Sequence, residues 1–176
     1  YQLRNAVTVL TTLDGLRRDN VLQIPDFAMH LGLRWAHFPA RMEVMQRRPL
    51  VLLDGAHNPQ GLHALALALR QYPECRRCIV IMGMLRDKDY ADGVKALLPS
   101  ATEVLTLTPD SPRALDAETL AETIRAAGGK AQAMTDPAAA IARAKELAGR
   151  RGAVAVCGSL YLAAQLRPML KKRGKL

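Results

Sequence analysis

Residues 54–61 carry the group of side chains best suited to chemistry in this sequence, and they read Asp-Gly-Ala-His-Asn-Pro-Gln-Gly. Asp54 supplies a negative charge, and His57 can exchange a proton or hydrogen-bond an anion near neutral pH. Gly55 lets the backbone approach a ligand closely, and Pro59 suits the first turn of a helix. A carboxylate and an imidazole three residues apart can therefore face a common ligand.

The same residues also allow a structural interpretation. Asp54 could cap the helix that begins near Pro59, and His57 could simply pack against its neighbours. The spacing favours function because residues 50–53 read Leu-Val-Leu-Leu, which is typical of a strand buried on both faces. The polar turn would then lie at the carboxyl end of that strand, where open α/β sheets bind ligands.

Two helices are predicted before the first strand. Over residues 1–18 apolar residues recur at spacings of three and four, and a second short helix over residues 25–34 carries the apolar residues Phe27, Leu31 and Leu33. Residues 35–40 read as a linker, since Pro39 disfavours a helical conformation at the residue before it. The two helices could belong to a neighbouring domain.

From residue 41 onwards, short apolar runs alternate with helical patterns. Strands are predicted over residues 42–46, 50–53, 78–82, 104–107, 131–134 and 153–157, and helices over residues 60–71, 90–98, 117–127, 137–148 and 160–172. This alternation predicts an α/β fold, with a mainly parallel six-stranded sheet covered by helices on both faces. The first two strands are too close for a crossover helix, so they should form a hairpin, or the first should be peripheral.

Three loops should converge at one edge of this sheet, over residues 54–59, 83–89 and 158–161, because each follows the carboxyl end of a strand. The second loop lacks both the dinucleotide fingerprint and the Walker A pattern, which favours a solvated loop. Ser159 could cap the last helix or help to bind a carboxylate or phosphate there, and the two roles are compatible. A hydrolase triad of Asp54, His57 and Ser159 is disfavoured because the G-x-S-x-G turn is missing.

The charge and composition limit the classes of partner that this protein is expected to bind. A formal net charge of +9 favours anionic partners. Aromatic residues make up only 4% of the chain, and no helix-turn-helix or zinc-finger pattern appears, which argues against a nucleic acid. No apolar run reaches the roughly 18 residues that a membrane span requires.

The three cysteines are too few for a disulfide scaffold and favour a reducing compartment such as the cytoplasm. Cys75 and Cys78 form a C-x-x-C pair, but no second pair is available for zinc, and the motif leads into a strand. Unpaired structural thiols are the favoured interpretation.

Six short motifs then occur in order along the chain, at residues 1–6, 38–43, 53–59, 83–89, 111–115 and 158–161. They include Phe-Pro-Ala-Arg-Met-Glu, Leu-Asp-Gly-Ala-His-Asn-Pro and Gly-Ser-Leu-Tyr. Together they resemble the C-terminal part of folylpolyglutamate synthase, including the bifunctional dihydrofolate synthase form, in the Mur ligase superfamily. Phe38 stands where that family commonly has Trp, a change that leaves the charges untouched.

The resemblance implies an ATP-dependent amide ligase with a Rossmann-like C-terminal domain over residues 41–176. ATP would phosphorylate the γ-carboxylate of folate, and the amino group of L-glutamate would attack the acyl phosphate. Residues 1–40 would be the terminal helices of the preceding ATP-binding domain plus a linker. The P-loop and the Mg²⁺ ligands would lie in that N-terminal domain, so this chain should be inactive alone. The enzyme is expected to be a cytoplasmic monomer.

The resemblance also assigns residues. Asn5, Arg41 and Asp54 match positions that contact ATP, with Arg41 reaching its phosphates. His57 and Ser159 match positions on the glutamate side, and Tyr161 is a weaker candidate there. Asp54 or His57 could accept the proton of the attacking amine.

Two other functions remain open. A peptidoglycan precursor ligase acting on a UDP-linked peptide belongs to the same superfamily, although the motif wording disfavours it. A basic nucleic-acid-binding module is a third possibility, disfavoured by the scarcity of aromatic residues.

Overall fold

A computed structural model describes residues 2–171 of the chain. Tyr1, which begins the first predicted motif, and the end of the last predicted helix at residue 172 lie outside the described residues. The chain divides into two compact units, and the boundary falls between Phe38 and Pro39. No helix of the described part is both long and apolar enough to cross a membrane.

The first unit contains the two predicted helices, α1 (Gln2–Arg18) and α2 (Asp26–Trp35). An ion pair of 2.6 Å between the Arg17 guanidinium and the Asp26 carboxylate joins the end of α1 to the start of α2. No side chain described in this unit is buried. This unit therefore has little hydrophobic core of its own.

The second unit is built on a six-stranded sheet with the strand order β1-β2-β6-β3-β4-β5. Its strands are β1 (Glu43–Arg47), β2 (Leu50–Leu53), β3 (Cys78–Met82), β4 (Glu103–Thr106), β5 (Ala131–Ala133) and β6 (Ala153–Cys157). β1 pairs with β2 as an antiparallel hairpin at the edge, and all other pairs are parallel. The predicted mainly parallel α/β sheet is confirmed.

Helices cover both faces of the sheet because successive strand residues point to opposite sides. In β2, Leu50 and Leu52 join one core cluster, and Val51 and Leu53 join the other. The first cluster is completed by α3 (Pro59–Leu69), α4 (Tyr90–Leu97) and α5 (Ala117–Ala126), and the second by α6 (Pro137–Ala148) and α7 (Leu160–Lys171). Burial of each leucine stabilises the fold by about 1.5–3 kcal/mol, so β2 is held firmly from both sides.

The strand boundaries differ from prediction by a residue at several ends. The first strand begins at Glu43 and not at Met42, because Met42 has a φ of 51° and donates its backbone N–H to Asp54. Short 3₁₀ turns at Pro73–Arg77 and Leu98–Ser100 were not predicted. Both contain proline near their start, which suits a single tight turn better than a longer helix.

Candidate active site

Three loops meet at the carboxyl edge of the sheet, as the strand pattern predicts. They follow β2, β6 and β3, which are neighbours in the sheet. The backbone N–H of Asp54 donates to the carbonyl of Val156 at 2.9 Å, and that of Gly158 donates to the carbonyl of Ala56 at 2.7 Å. The loop after β3 joins them through a hydrogen bond of 3.3 Å from the N–H of Gly83 to the carbonyl of Cys157, the last residue of β6. The three loops therefore form one hydrogen-bonded surface.

Gly158 is required where these loops approach each other. Its φ is 103°, in a region that side chains rarely allow. A Cβ atom at this position would lie 2.5 Å from the carbonyl oxygen of Gly83 and 3.0 Å from the sulfur of Met84. Any other residue would therefore push the loops after β6 and β3 apart.

Asp54 lies inside this surface and is only 2% exposed. Its Oδ1 accepts the backbone N–H of Ala56 at 2.8 Å, and its Oδ2 accepts that of Met42 at 2.8 Å. The carboxylate thus ties the loop before β1 to the loop after β2. The sequence interpretation had this carboxylate face a ligand, whereas the structure buries it, because two backbone donors in tight turns use it as their acceptor. Its roles in catalysis and ATP contact stay predictions.

Arg41 is presented on a backbone of unusual conformation. The residues on either side of it, Ala40 and Met42, have φ values of 55° and 51°, which cost roughly 1–3 kcal/mol each for residues other than glycine. The carbonyl of Ala40 accepts the N–H of Gly55 at 2.7 Å, and Met42 N–H is held by Asp54. These bonds offset the strain and fix the backbone from which the exposed Arg41 side chain projects.

Glu43 and Arg167 anchor the same loop to α7. Arg167 donates to the Glu43 carboxylate in a bidentate arrangement, with Nε 2.8 Å from Oε2 and Nη2 2.7 Å from Oε1. Oε2 also accepts the N–H of Ala40 at 3.0 Å. The Glu43 carboxylate raises the pKa of Arg167 by accepting these bonds. The residue pattern alone did not identify this pair, because the partners are 124 positions apart.

His57 is held by its own turn. Its Nδ1 lies 2.8 Å from the carbonyl oxygen of Gly55. A carbonyl can only accept, so Nδ1 carries the hydrogen, and Nε2 remains as the nitrogen that can take up a proton or accept a hydrogen bond. Asn58, and not Asp54, caps α3, since its Oδ1 accepts the N–H of Gly61 at 2.7 Å.

Ser159 caps α7, and its Oγ accepts the N–H of Tyr161 at 3.1 Å. The residue is 1% exposed, whereas Tyr161 is 45% exposed. The hydroxyl of Ser159 and the imidazole of His57 each bond to backbone groups, which disfavours a hydrolase triad. Their predicted contacts with glutamate stay predictions.

Arg113 adds a positive charge beside Tyr161 that the sequence interpretation left without a role. Its pKa is raised, first by a hydrogen bond with the Tyr161 side chain and then by the nearby Asp87 carboxylate. The Arg113 guanidinium lies 2.9 Å from that carboxylate. A bridge between Leu85 and Ala114 holds the two loops together. Arg113 stands in a motif that supports the family resemblance, but only the structure places it beside α7.

Asn5 lies on α1 in the first unit and is exposed, and its predicted contact with ATP stays a prediction. Within residues 2–171, no group of three or more His, Cys, Asp or Glu side chains could hold a metal ion.

Comparison with known proteins identifies the class. Residues 40–160 match the family described as "Mur ligase, glutamate ligase domain". The match covers more than half of the chain, so the chain belongs to this family of ligase domains.

Three known proteins show which members of this family the chain resembles. The dihydrofolate synthase/folylpolyglutamate synthase of Bacillus subtilis is 32% identical over 171 residues, which cover 97% of this chain and 39% of that protein. The structure of Escherichia coli FolC in complex with DHPP and ADP superposes with a TM-score of 0.84 at 28% identity, over 96% of this chain and 39% of that one. A bifunctional folylpolyglutamate synthase/dihydrofolate synthase with Mn, AMPPNP and L-glutamate bound gives a TM-score of 0.73 at 31% identity, over 84% and 36% of the two chains. The chain thus spans about two fifths of the length of these relatives, and its fold is that of the FolC C-terminal domain.

Proposed function

We propose that this chain is the C-terminal domain of an ATP-dependent folylpolyglutamate synthase, which adds L-glutamate to the γ-carboxylate of folate through an acyl phosphate. The observation that carries the proposal is the fixed presentation of Arg41, on a strained loop that the buried Asp54 and the Glu43–Arg167 pair hold in place. Strain of this kind persists where the surrounding structure enforces it, and it is concentrated at functional sites. The similarity to ligases whose structures contain ADP or L-glutamate supports the same conclusion.

Arg41 would bind the phosphates of ATP. A planar guanidinium can donate two parallel hydrogen bonds to phosphate oxygens and offset the charge that collects there during transfer. Asn5 would contact the nucleotide as well. Mg²⁺ would be bound by groups of the N-terminal domain.

The incoming L-glutamate would occupy the edge formed by His57 and the loop at Ser159. Its carboxylates suit the Arg113 guanidinium, the Tyr161 hydroxyl and the N-terminus of α7. Its amine must lose a proton to attack the acyl phosphate, and Nε2 of His57 is the nitrogen available to accept one, directly or through water. Asp54 is better suited to positioning Arg41, because both of its carboxylate oxygens already accept backbone hydrogen bonds.

The reaction would require a second half of the enzyme. Residues 1–40 would belong to the preceding ATP-binding domain, which would supply the P-loop, and closure of the two halves would bring Arg41 onto the nucleotide. The enzyme would act as a monomer in the cytoplasm, without a nucleic acid or membrane partner.

A peptidoglycan precursor ligase is the second candidate, because the matched family also bears the Mur ligase name. The two candidates differ in the acceptor whose carboxylate is activated. One acceptor is a folate, and the other is a UDP-linked muramoyl peptide.

The decisive experiment measures ADP release by the complete enzyme that contains this chain. Tetrahydrofolate or dihydropteroate with L-glutamate should support turnover, whereas a UDP-muramoyl dipeptide with diaminopimelate should not. Turnover with the muramoyl substrate alone would overturn the proposal. Arg151 is an exposed residue at the amino end of β6, far from the proposed substrates, so an Arg151→Ala enzyme should show the same substrate preference as the wild type.

A further inference from the structure

Cys75 and Cys78 lie together at the edge of the sheet opposite the candidate active site. Cys75 is on the 3₁₀ turn Pro73–Arg77, and Cys78 is the first residue of β3. They are three positions apart across one 3₁₀ turn, where side chains at i and i+3 lie on the same side. Cys78 is fixed on its other side, because its backbone N–H donates to the Thr102 hydroxyl at 3.2 Å and its carbonyl accepts Thr102 N–H at 2.7 Å. The C-x-x-C spacing therefore places the two thiols on the same side of this turn.

The two thiols differ in access. Cys78 is fully buried, whereas Cys75 is half-buried and lines a cavity of about 280 Å³ together with Arg70, Tyr72 and Arg76. The hydrogen bond from Cys78 lowers the pKa of Cys75, against the opposing effects of burial and of the Glu74 carboxylate. The same bond, followed by burial, raises the pKa of Cys78. Cys75 is thus the more accessible of the two thiols, and Cys78 is buried behind it.

We propose that Cys75 and Cys78 form a reversible dithiol–disulfide site that exchanges with low-molecular-weight disulfides carrying carboxylates. Arg70 and Arg76 give the cavity the positive charge that would attract such a disulfide. This inference does not depend on the ligase function, because the pair lies at the amino end of β3 and the candidate site at the carboxyl end.

The exchange takes place in two steps. The Cys75 thiolate attacks one sulfur of the disulfide, which breaks the S–S bond, forms a mixed disulfide on Cys75 and releases the first thiolate. Cys78 then attacks the sulfur of Cys75 and displaces the second thiolate, which takes up the proton that Cys78 loses. The small disulfide is reduced to two thiols, and the protein pair is oxidised to one disulfide.

Cys157 provides an internal comparison. It is buried at the end of β6, and burial raises its pKa, with a further contribution from Asp54. It pairs with Met82, at the end of β3 opposite Cys78, and it does not line the cavity at Cys75. We expect it to react at least about tenfold more slowly than Cys75.

The test incubates the full 176-residue chain in glutathione buffers with a rising share of glutathione disulfide, followed by an acid quench, alkylation and mass spectrometry. The wild-type chain should lose two hydrogen atoms without keeping a glutathione adduct. Cys78→Ser, and Cys78→Ala as a second variant, should retain one glutathione on Cys75. Cys75→Ser should keep its remaining thiols, and Cys157→Ser should behave as the wild type does.

Two results would overturn the proposal: a wild-type chain that keeps both thiols in excess glutathione disulfide, or a Cys75→Ser chain that reacts as fast as the wild type. The preference for carboxylates has its own test. Replacing Arg70 and Arg76 with Gln should slow the reaction with glutathione disulfide, but not with the neutral 2-hydroxyethyl disulfide. Equal slowing with both reagents would contradict that preference.

Discussion

Asp54 and Arg41 have different positions in the candidate active site: Asp54 is buried and supports the backbone, whereas Arg41 is exposed. The Asp54 carboxylate is enclosed and bonded to two backbone donors, so a charge that looked reactive in the sequence holds the turn together. Arg41 projects from the backbone that this carboxylate supports. Substitutions at single residues should therefore show which side chains hold the loops in place and which contact the substrates.

Arg41→Ala in the complete enzyme should weaken the use of ATP, because the variant loses the planar donor proposed to bind its phosphates. We expect the KM for ATP to rise by about tenfold or more, while the KM for L-glutamate changes by less than about twofold. Steady-state kinetics with each substrate varied in turn will measure both values. Arg151→Ala should leave both unchanged, and an unaltered dependence on ATP in Arg41→Ala would show that the phosphate assignment is wrong.

His57→Ala should lower kcat/KM for L-glutamate by about tenfold or more, since Nε2 is the proposed proton acceptor. The thermal midpoint should change little, because the side chain makes one hydrogen bond within its own turn. His63→Ala, on the exposed side of α3, is the matched control. A His57→Ala enzyme that keeps kcat/KM within about threefold of the wild type would exclude this role.

At the scale of elements, the site depends on contacts between the loop at Arg41, the turn after β2 and the first turns of α7. Each of these segments is short, and none could hold its conformation alone. The Glu43–Arg167 pair and the close approach at Gly158 lock them together. A substitution that removes either contact should therefore disturb the conformation of the site, although no residue proposed to touch substrate is changed.

Glu43→Gln and Arg167→Met should each lower the thermal midpoint of the chain and raise the KM for ATP in the complete enzyme. The double variant should be no worse than the more damaging single variant, because both remove the same interaction. The exposed Arg143–Glu146 pair on α6 is the control, and its removal should change neither quantity. Fully additive effects at Glu43 and Arg167 would contradict the proposed anchoring of the loop.

Gly158→Ala should destabilise the chain by about 3 kcal/mol or more, since it combines an unfavourable φ with a clash against Gly83. Gly128→Ala is the matched control, because Gly128 also has a positive φ of 86° but has open space around its Cβ position. It should cost about 1–2 kcal/mol, which is the strain of the left-handed conformation alone. Urea denaturation will compare the two, and equal losses would mean that the approach of the two loops is not tight.

At the scale of the whole molecule, the sheet gathers chain segments that are far apart in sequence. The strand order places β6, near the end of the chain, between β2 and β3, so the last loop joins the first two at one edge. The opposite edge carries the Cys75–Cys78 pair. The two chemical regions are thus separated by the length of the parallel strands.

The 176-residue chain alone should release no ADP in response to a folate and L-glutamate, because the proposed P-loop and metal ligands lie outside it. A coupled ADP assay over a range of chain concentrations will test this. Release that increases with the concentration of this chain, and that disappears in Arg41→Ala, would show that the chain is catalytically sufficient.

The alternation of strands and helices, the edge where the loops meet and the family could all be predicted from the sequence. Those features depend on local apolar patterns and on motifs whose residues are close together in the chain. The folded chain was needed to show that Asp54 is buried, that Glu43 pairs with Arg167, that Arg113 lies beside Tyr161 and that Cys75 lines a cavity next to the buried Cys78. Burial and pairing of polar groups depend on which distant segments the sheet brings together, and no local pattern records that.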